Sequence, residues 1–128
     1  MNPPACILNT RTGLIVCERA AYAGSILQRM VGLLRHQRLA PGEGLILPSC
    51  RSIHTWFMRF SIDAIFLDRA WRVAALQPGL TPWRFSPYVW GAWAVLEVES
   101  GTITRTQVAV GDQLAVAKIV DSHSPRQV

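Results

Sequence analysis

A chain of 128 residues, half of them hydrophobic and 16% charged, carries enough apolar surface for one packed domain, which excludes a disordered segment. No charge-free run approaches the ~20 residues of a membrane-crossing helix. The net charge of +5 rests on thirteen basic side chains, all arginine except Lys118, scattered singly; this reads as a solvated surface and makes nucleic acid the least expected partner.

The opening Met1-Asn2-Pro3-Pro4-Ala5-Cys6 has neither the basic nor the apolar region of a secretion signal, and Cys6 lies too early for lipid attachment. Cys6, Cys17 and Cys50 are odd in number and lack a Cys-x-x-Cys spacing. Reduced thiols in a cytoplasmic setting are expected.

Cys6 to Asn9 and Leu14 to Cys17, joined by Thr10-Arg11-Thr12-Gly13, read as a strand, a turn and a strand. From Ser25 the period changes. Ser25-Ile26-Leu27-Gln28 fits a capping box, and apolar residues follow at helical spacing, predicting a packed helix over roughly Ile26 to Arg35, with His36 just past its end. Leu45 to Leu47 is a short buried strand.

The stretch from Cys50 to Asp68 mixes strand-forming residues with groups able to do chemistry. Ile53 to Phe57 and Ile62 to Leu67, four residues apart, predict an antiparallel hairpin. Pairing Phe57 with Ile62 sets Trp56 opposite Asp63 and makes His54 and Asp63 diagonal neighbours, ~7 to 8 Å apart at the backbone. A carboxylate beside an imidazole fixes its tautomer and suits it to acid–base work or to holding an anion. Cys50 and His54 meet only if Cys50 folds back, since four extended residues cover ~13 Å. That spacing also disfavours a metal pair, and no metal or cofactor is expected.

Trp71 to Leu76 is a further strand, and Pro78-Gly79 breaks the pattern. Trp83 to Trp90 is an aromatic, proline-containing loop. In the next strand, Trp93 to Val98, alternation places Ala94, Leu96 and Val98 on a core face. It places Trp93, Val95 and Glu97 on the other, so that Glu97 points to solvent or to a polar pocket. Ser100-Gly101-Thr102 opens a single helical turn through Arg105, Gly111-Asp112 turns the chain, Gln113 to Val120 is the last strand, and 121–128 reads as a tail. The sum is one mostly β domain over 1–128, an antiparallel sandwich or small barrel of seven to eight short strands with one packed α-helix.

Gly32-Leu33-Leu34-Arg35, Gly42-Glu43-Gly44-Leu45, Ser52 to Met58, Ile62-Asp63, Phe66-Leu67-Asp68, Val95-Leu96-Glu97 with Gly101-Thr102, and Val110-Gly111-Asp112 follow in the order seen in domain-of-unknown-function family 192. The chain resembles that family from roughly Thr12 to Val116. The resemblance implies a small β-rich domain of bacteria and archaea with no established activity. His54, Asp63 and Glu97 match its pattern. Ser61 stands where the family usually has Pro, Glu99-Ser100 where it often has Pro-Ala. Trp71 stands at a turn position usually held by Gly, which argues against a tight two-residue turn with positive φ.

Three function classes follow. The leading one is a module binding a sugar, an anionic metabolite or a partner through Arg51, Thr55, Arg59, Trp83, Arg84 and Trp90. The second is a hydrolase or lyase using His54, Asp63 and Glu97 as acid–base groups. The third is an accessory protein that docks through the loop around Trp83.

Overall fold

Alternating apolar residues at either side of a tight turn build the first ladder. In the computed structural model, which describes residues 3–22, 39–55 and 58–120, β1 (Ala5–Asn9) pairs antiparallel with β2 (Ile15–Tyr22), setting Ile7 opposite Cys17. Then come β3 (Glu43–Pro48), β4 (Ile62–Leu67), β5 (Val73–Leu80), β6 (Ala94–Glu99), the single-turn helix α1 (Thr102–Arg105) and β7 (Leu114–Ile119). The expected helix over Ile26 to Arg35, with His36, Trp56 and the tail at 121–128, lies outside the described residues.

These strands form one seven-stranded sheet in the order β5-β4-β6-β3-β2-β1-β7. Every neighbouring pair is antiparallel except β2 and β3, and a parallel pair needs a crossover of a dozen or more residues, a length that 23–42 supplies. The sheet curls until its outer strands touch at one end. There Arg72 bridges Gln113, Val73 N–H donates to Asp112 O at 2.8 Å, and Leu114 N–H donates to Trp71 O at 3.0 Å. The ladder stops there, so the mostly β class holds while the barrel is not closed.

Curling gives the sheet two apolar faces. The inner one gathers Ile7, Cys17, Ile46, Ile65, Leu96, Val98, Ile103 and Leu114. The outer one, on β3, β4 and β6, gathers Leu47, Ile62, Ala64, Phe66 and Val95, and is covered by Ile53, Met58 and Ala92 from the loops. Strand β4 is therefore buried along its whole length.

That burial corrects the predicted central hairpin. Both edges of β4 are taken by β5 and β6, and Ile53 to Thr55 pairs elsewhere. Closeness in sequence suggested the hairpin; two longer partners supply a fuller ladder. Two further expectations change. Pro78 and Gly79 stay within β5 at a register shift, where these two residues face the single residue Asp63 of β4. The turn before β5 keeps its left-handed residue, with Trp71 at φ 64°. It is stabilised by Asp68 Oδ1, which accepts N–H bonds from Ala70 and Arg72, both at 2.9 Å.

Asp112 fastens the approach to β7 onto the first turn. Its carboxylate accepts from Arg11 Nε at 2.6 Å, Asn9 Nδ2 at 2.8 Å and Ala109 N–H at 2.8 Å. Bonding from the Arg11 guanidinium holds the Asp112 carboxyl well below the usual carboxylate range, assisted by the Ala109 and Asn9 donors and opposed by its burial. A depressed native pKa stabilises the fold fully above the unfolded value of ~3.9 and loses that stabilisation as pH falls below it.

Two outcomes are expected. Asp112→Asn should cost roughly 2 kcal/mol at pH 7, and urea titrations at several pH values should show the gap to wild type shrinking below about pH 4. At Gly44 a Cβ would meet Cys17 Sγ at 2.8 Å, Glu97 O at 2.9 Å and Val98 Cγ1 at 3.2 Å, so Gly44→Ala forces apart three strands. A loss of about 1–3 kcal/mol should appear as a lower urea midpoint at unchanged slope.

Candidate functional site

Asp63, one of the predicted catalytic residues, is bonded to three backbone groups. Its side chain lies on the inner face with Ile65, and the register shift in β5 turns Gly79 N–H onto Asp63 Oδ1 at 2.8 Å. Oδ2 accepts from Gly101 N–H at 3.1 Å and Ile103 N–H at 2.9 Å, capping α1 from a distant strand. Thus a buried carboxylate satisfies three backbone donors that would otherwise be stranded.

Glu97 lies on the opposite, outer face, beside Leu45 of β3 and Ala64 of β4. It is fully buried, which removes the first of the two expected alternatives, solvent or a polar pocket. The face carrying Val95 and Glu97 is core as much as the one carrying Leu96 and Val98.

His54 belongs to neither face of the sheet. The segment 51–55 runs antiparallel to 84–89 as a short ribbon: Thr55 N–H donates to Arg84 O, Ser86 N–H to Ile53 O, and Val89 N–H to Arg51 O, at 2.8 to 2.9 Å. Within it His54 bridges Phe85, their rings edge to face with centroids 6.2 Å apart. Ile53 and Ser86 point inward and are buried, whereas His54 and Phe85 are exposed. The structure therefore brings none of His54, Asp63 and Glu97 together.

The ribbon and the turn before β5 enclose a groove instead. Two adjoining hollows of ≈ 380 and ≈ 430 Å³ share Arg51, Arg69, Ala92 and Trp93, with Trp90 in one and Cys50 and Tyr88 in the other. Arg51 Nε donates to Ala92 O at 3.2 Å and its terminal nitrogen to Tyr88 Oη at 3.4 Å, which fixes the guanidinium at the wall. Arg69 lies 5.9 Å over the Trp93 ring, within cation–π range. Tyr88 and Trp90 pack edge to face at 4.6 Å. The Cys50 thiol donates to Ser52 O at 3.0 Å rather than facing His54. Asp68, the carboxylate at the rim, is engaged by the turn. Two guanidiniums beside three aromatic rings can hold an anion that carries a planar or apolar part.

Of the predicted binding residues, Arg51 and Trp90 line this groove. Thr55 is buried, its hydroxyl donating to Thr81 O at 2.6 Å and accepting from Arg84 N–H at 2.9 Å, so it fastens the ribbon. Arg59, Trp83 and Arg84 are exposed outside the groove lining. Trp83 adopts φ 64°, held by its N–H bond to Thr55 O at 3.0 Å. The sequence singled out neither Arg69 nor Trp93 as a groove residue. An arginine in a turn before an aromatic strand is too common a pattern to have marked the site. Among the described residues no group of three or more His, Cys, Asp or Glu is placed to hold a metal ion.

The family model DUF192, described as "Uncharacterized ACR", matches residues 7–116. A UPF0127 protein of Thermococcus sibiricus is 32% identical over 112 residues, 84% of this chain and 72% of that protein. Another of Pyrococcus furiosus is 33% identical over 114 residues, covering 84% and 95%. Among solved structures, a protein of unknown function from Novosphingobium aromaticivorans superposes with a TM-score of 0.71 at 23% identity, covering 88% of this chain and 83% of the other. A putative transcription regulator from Sinorhizobium meliloti gives 0.67 at 20%, covering 90% and 93%. At those identities the two structures establish the fold alone.

The geometry separates two roles by stability. Asp63→Asn would turn an amide donor toward N–H groups and should cost roughly 2–4 kcal/mol in urea unfolding, while His54→Ala, at an exposed site, should change it by less than about 1 kcal/mol. Equal losses would contradict this placement.

Proposed function

We propose that this chain, which belongs to the DUF192 family, is a binding module whose groove takes a small anionic ligand. The observation that carries the reading is the pair of guanidiniums, Arg51 and Arg69, in one aromatic-walled groove whose rim carboxylate is already engaged. Arg51 is held ready by Ala92 O and Tyr88, which lowers the ordering cost of binding. Fixed cations favour carboxylates and phosphates over neutral sugars, and Trp90 and Trp93 offer surface to the rest of the molecule.

An acid–base enzyme finds less support, because Asp63 is committed to Gly79, Gly101 and Ile103 on the far side of the sheet from Glu97. Cys6, Cys17 and Cys50 are not joined in disulfides, which fits a reducing, cytoplasmic setting. Among the described residues no helix is long and apolar enough to cross a membrane.

A thermal-shift panel of phosphorylated and carboxylated metabolites beside neutral sugars tests the proposal. An anion at about 100 times its Kd should raise the melting temperature by roughly 5–10 °C, and Arg51→Ala with Arg69→Ala should abolish the rise. A panel without response, or a response that survives the double substitution, rules out the groove.

A further inference from the structure

The groove is one end of a longer surface. From Arg51 to Ile62 and from Arg69 to Leu96 the chain holds five arginines (51, 59, 69, 72 and 84) and no carboxylate. The acids that border these segments are spent: Asp63 and Glu97 are buried, and Asp68 serves its turn. Of the arginines, Arg84 lies on the ribbon and Arg51 and Arg69 line the groove, while the Arg72 guanidinium donates to Gly111 O at 3.2 Å.

The ribbon interleaves them with rings. Trp83 is 57% exposed, Phe85 64%, Tyr88 50% and Trp90 81%. They succeed one another along its length: Trp83 with Arg84, then Phe85 with His54, then Tyr88 with Arg51, and finally Trp90 beside the Arg69–Trp93 pair in the groove. Phe85 and Tyr88 are three extended residues apart, ~10 Å.

We propose that this track binds single-stranded nucleic acid, with phosphates on the guanidiniums and bases on the exposed rings. The inference rests on reading the groove as an anion site and extends it to a polymer, since a small ligand would use only the last of these stations. An anionic bilayer would favour ring tips gathered at one depth with charges flanking them. Here cation and ring alternate along a line, the arrangement that tracks a backbone while stacking its bases. An acidic peptide would match the charges but carries no bases to stack on the rings.

Fluorescence anisotropy of the full chain with labelled oligothymidylate and oligouridylate of 2, 4, 8 and 12 nucleotides tests the length dependence. Affinity should rise at least tenfold between 2 and 8 nucleotides and fall steeply with salt. Phe85→Ala, at an exposed position, should remove about tenfold of octamer affinity while leaving that for the dinucleotide unchanged. The double substitution of Arg51 and Arg69 should weaken every length. If 2-mer and 8-mer bind equally while small phosphorylated metabolites still stabilise the protein, the track is overturned and the groove stands. No response to either ligand overturns both. Binding to phosphatidylglycerol vesicles that depends on Phe85, without binding of the octamer, assigns the surface to lipid and likewise overturns the proposal.

Discussion

Strands β4 and β6 have no solvent-facing side along most of their length, and that constraint organises the molecule. Ile65, Leu96 and Val98 are covered when the sheet curls over them. Phe66, Ala64 and Val95 face the other way and need a separate lid. The lid comes from loop segments on either side of the β4–β5 unit, which have no place in the main ladder. Their backbone groups must then bond to one another, and the result is the ribbon of 51–55 against 84–89. Function is read from its outward side because its inward side is already committed to packing.

Two carboxylates hold together what hydrophobic burial alone would leave loose. Asp63 joins β4, the irregular part of β5 and the start of α1, and Asp112 joins the first turn to the last strand. Asp63 answers three backbone N–H groups, and Asp112 answers one backbone N–H together with the side chains of Arg11 and Asn9, each where the regular ladder is interrupted. A buried acid with all its bonds made is a fastening, and its presence on an apolar strand is no indication of catalysis. The carboxylate that the sequence singled out at Asp63 is the one that ties β4, β5 and the start of α1 together.

Much of the fold was legible because it is local. The β1–β2 hairpin, the strands around Leu45 and Val95, the turn at Arg105 and the final strand each show in a few residues of alternation or turn chemistry. The pairing of β4 was not, since an apolar run carries no mark of which neighbours flank it. Alternation left Glu97 between solvent and a polar pocket because it assigns faces but does not say that both faces are covered. Of the residues lining the groove, Arg51 and Trp90 had been singled out by residue type, while Arg69 and Trp93 join them through contacts between distant segments. His54 was singled out for a partner on β4, and it bridges Phe85, 31 positions further along the chain, which no short-range pattern announces.

The incomplete meeting of the outer strands has a cost in solution. Beyond the bridge at Gln113, β7 runs on with Val116, Ala117, Lys118 and Ile119 exposed and with β1 as its ladder partner among the described strands. Such a margin invites a second molecule to add its own strand, the first step toward aggregates. Lys118, the chain's single lysine, sits between the apolar positions and places an ammonium group where an incoming strand would bring an identical one. A charged side chain among the apolar positions of an exposed edge is a feature that disfavours pairing with another chain.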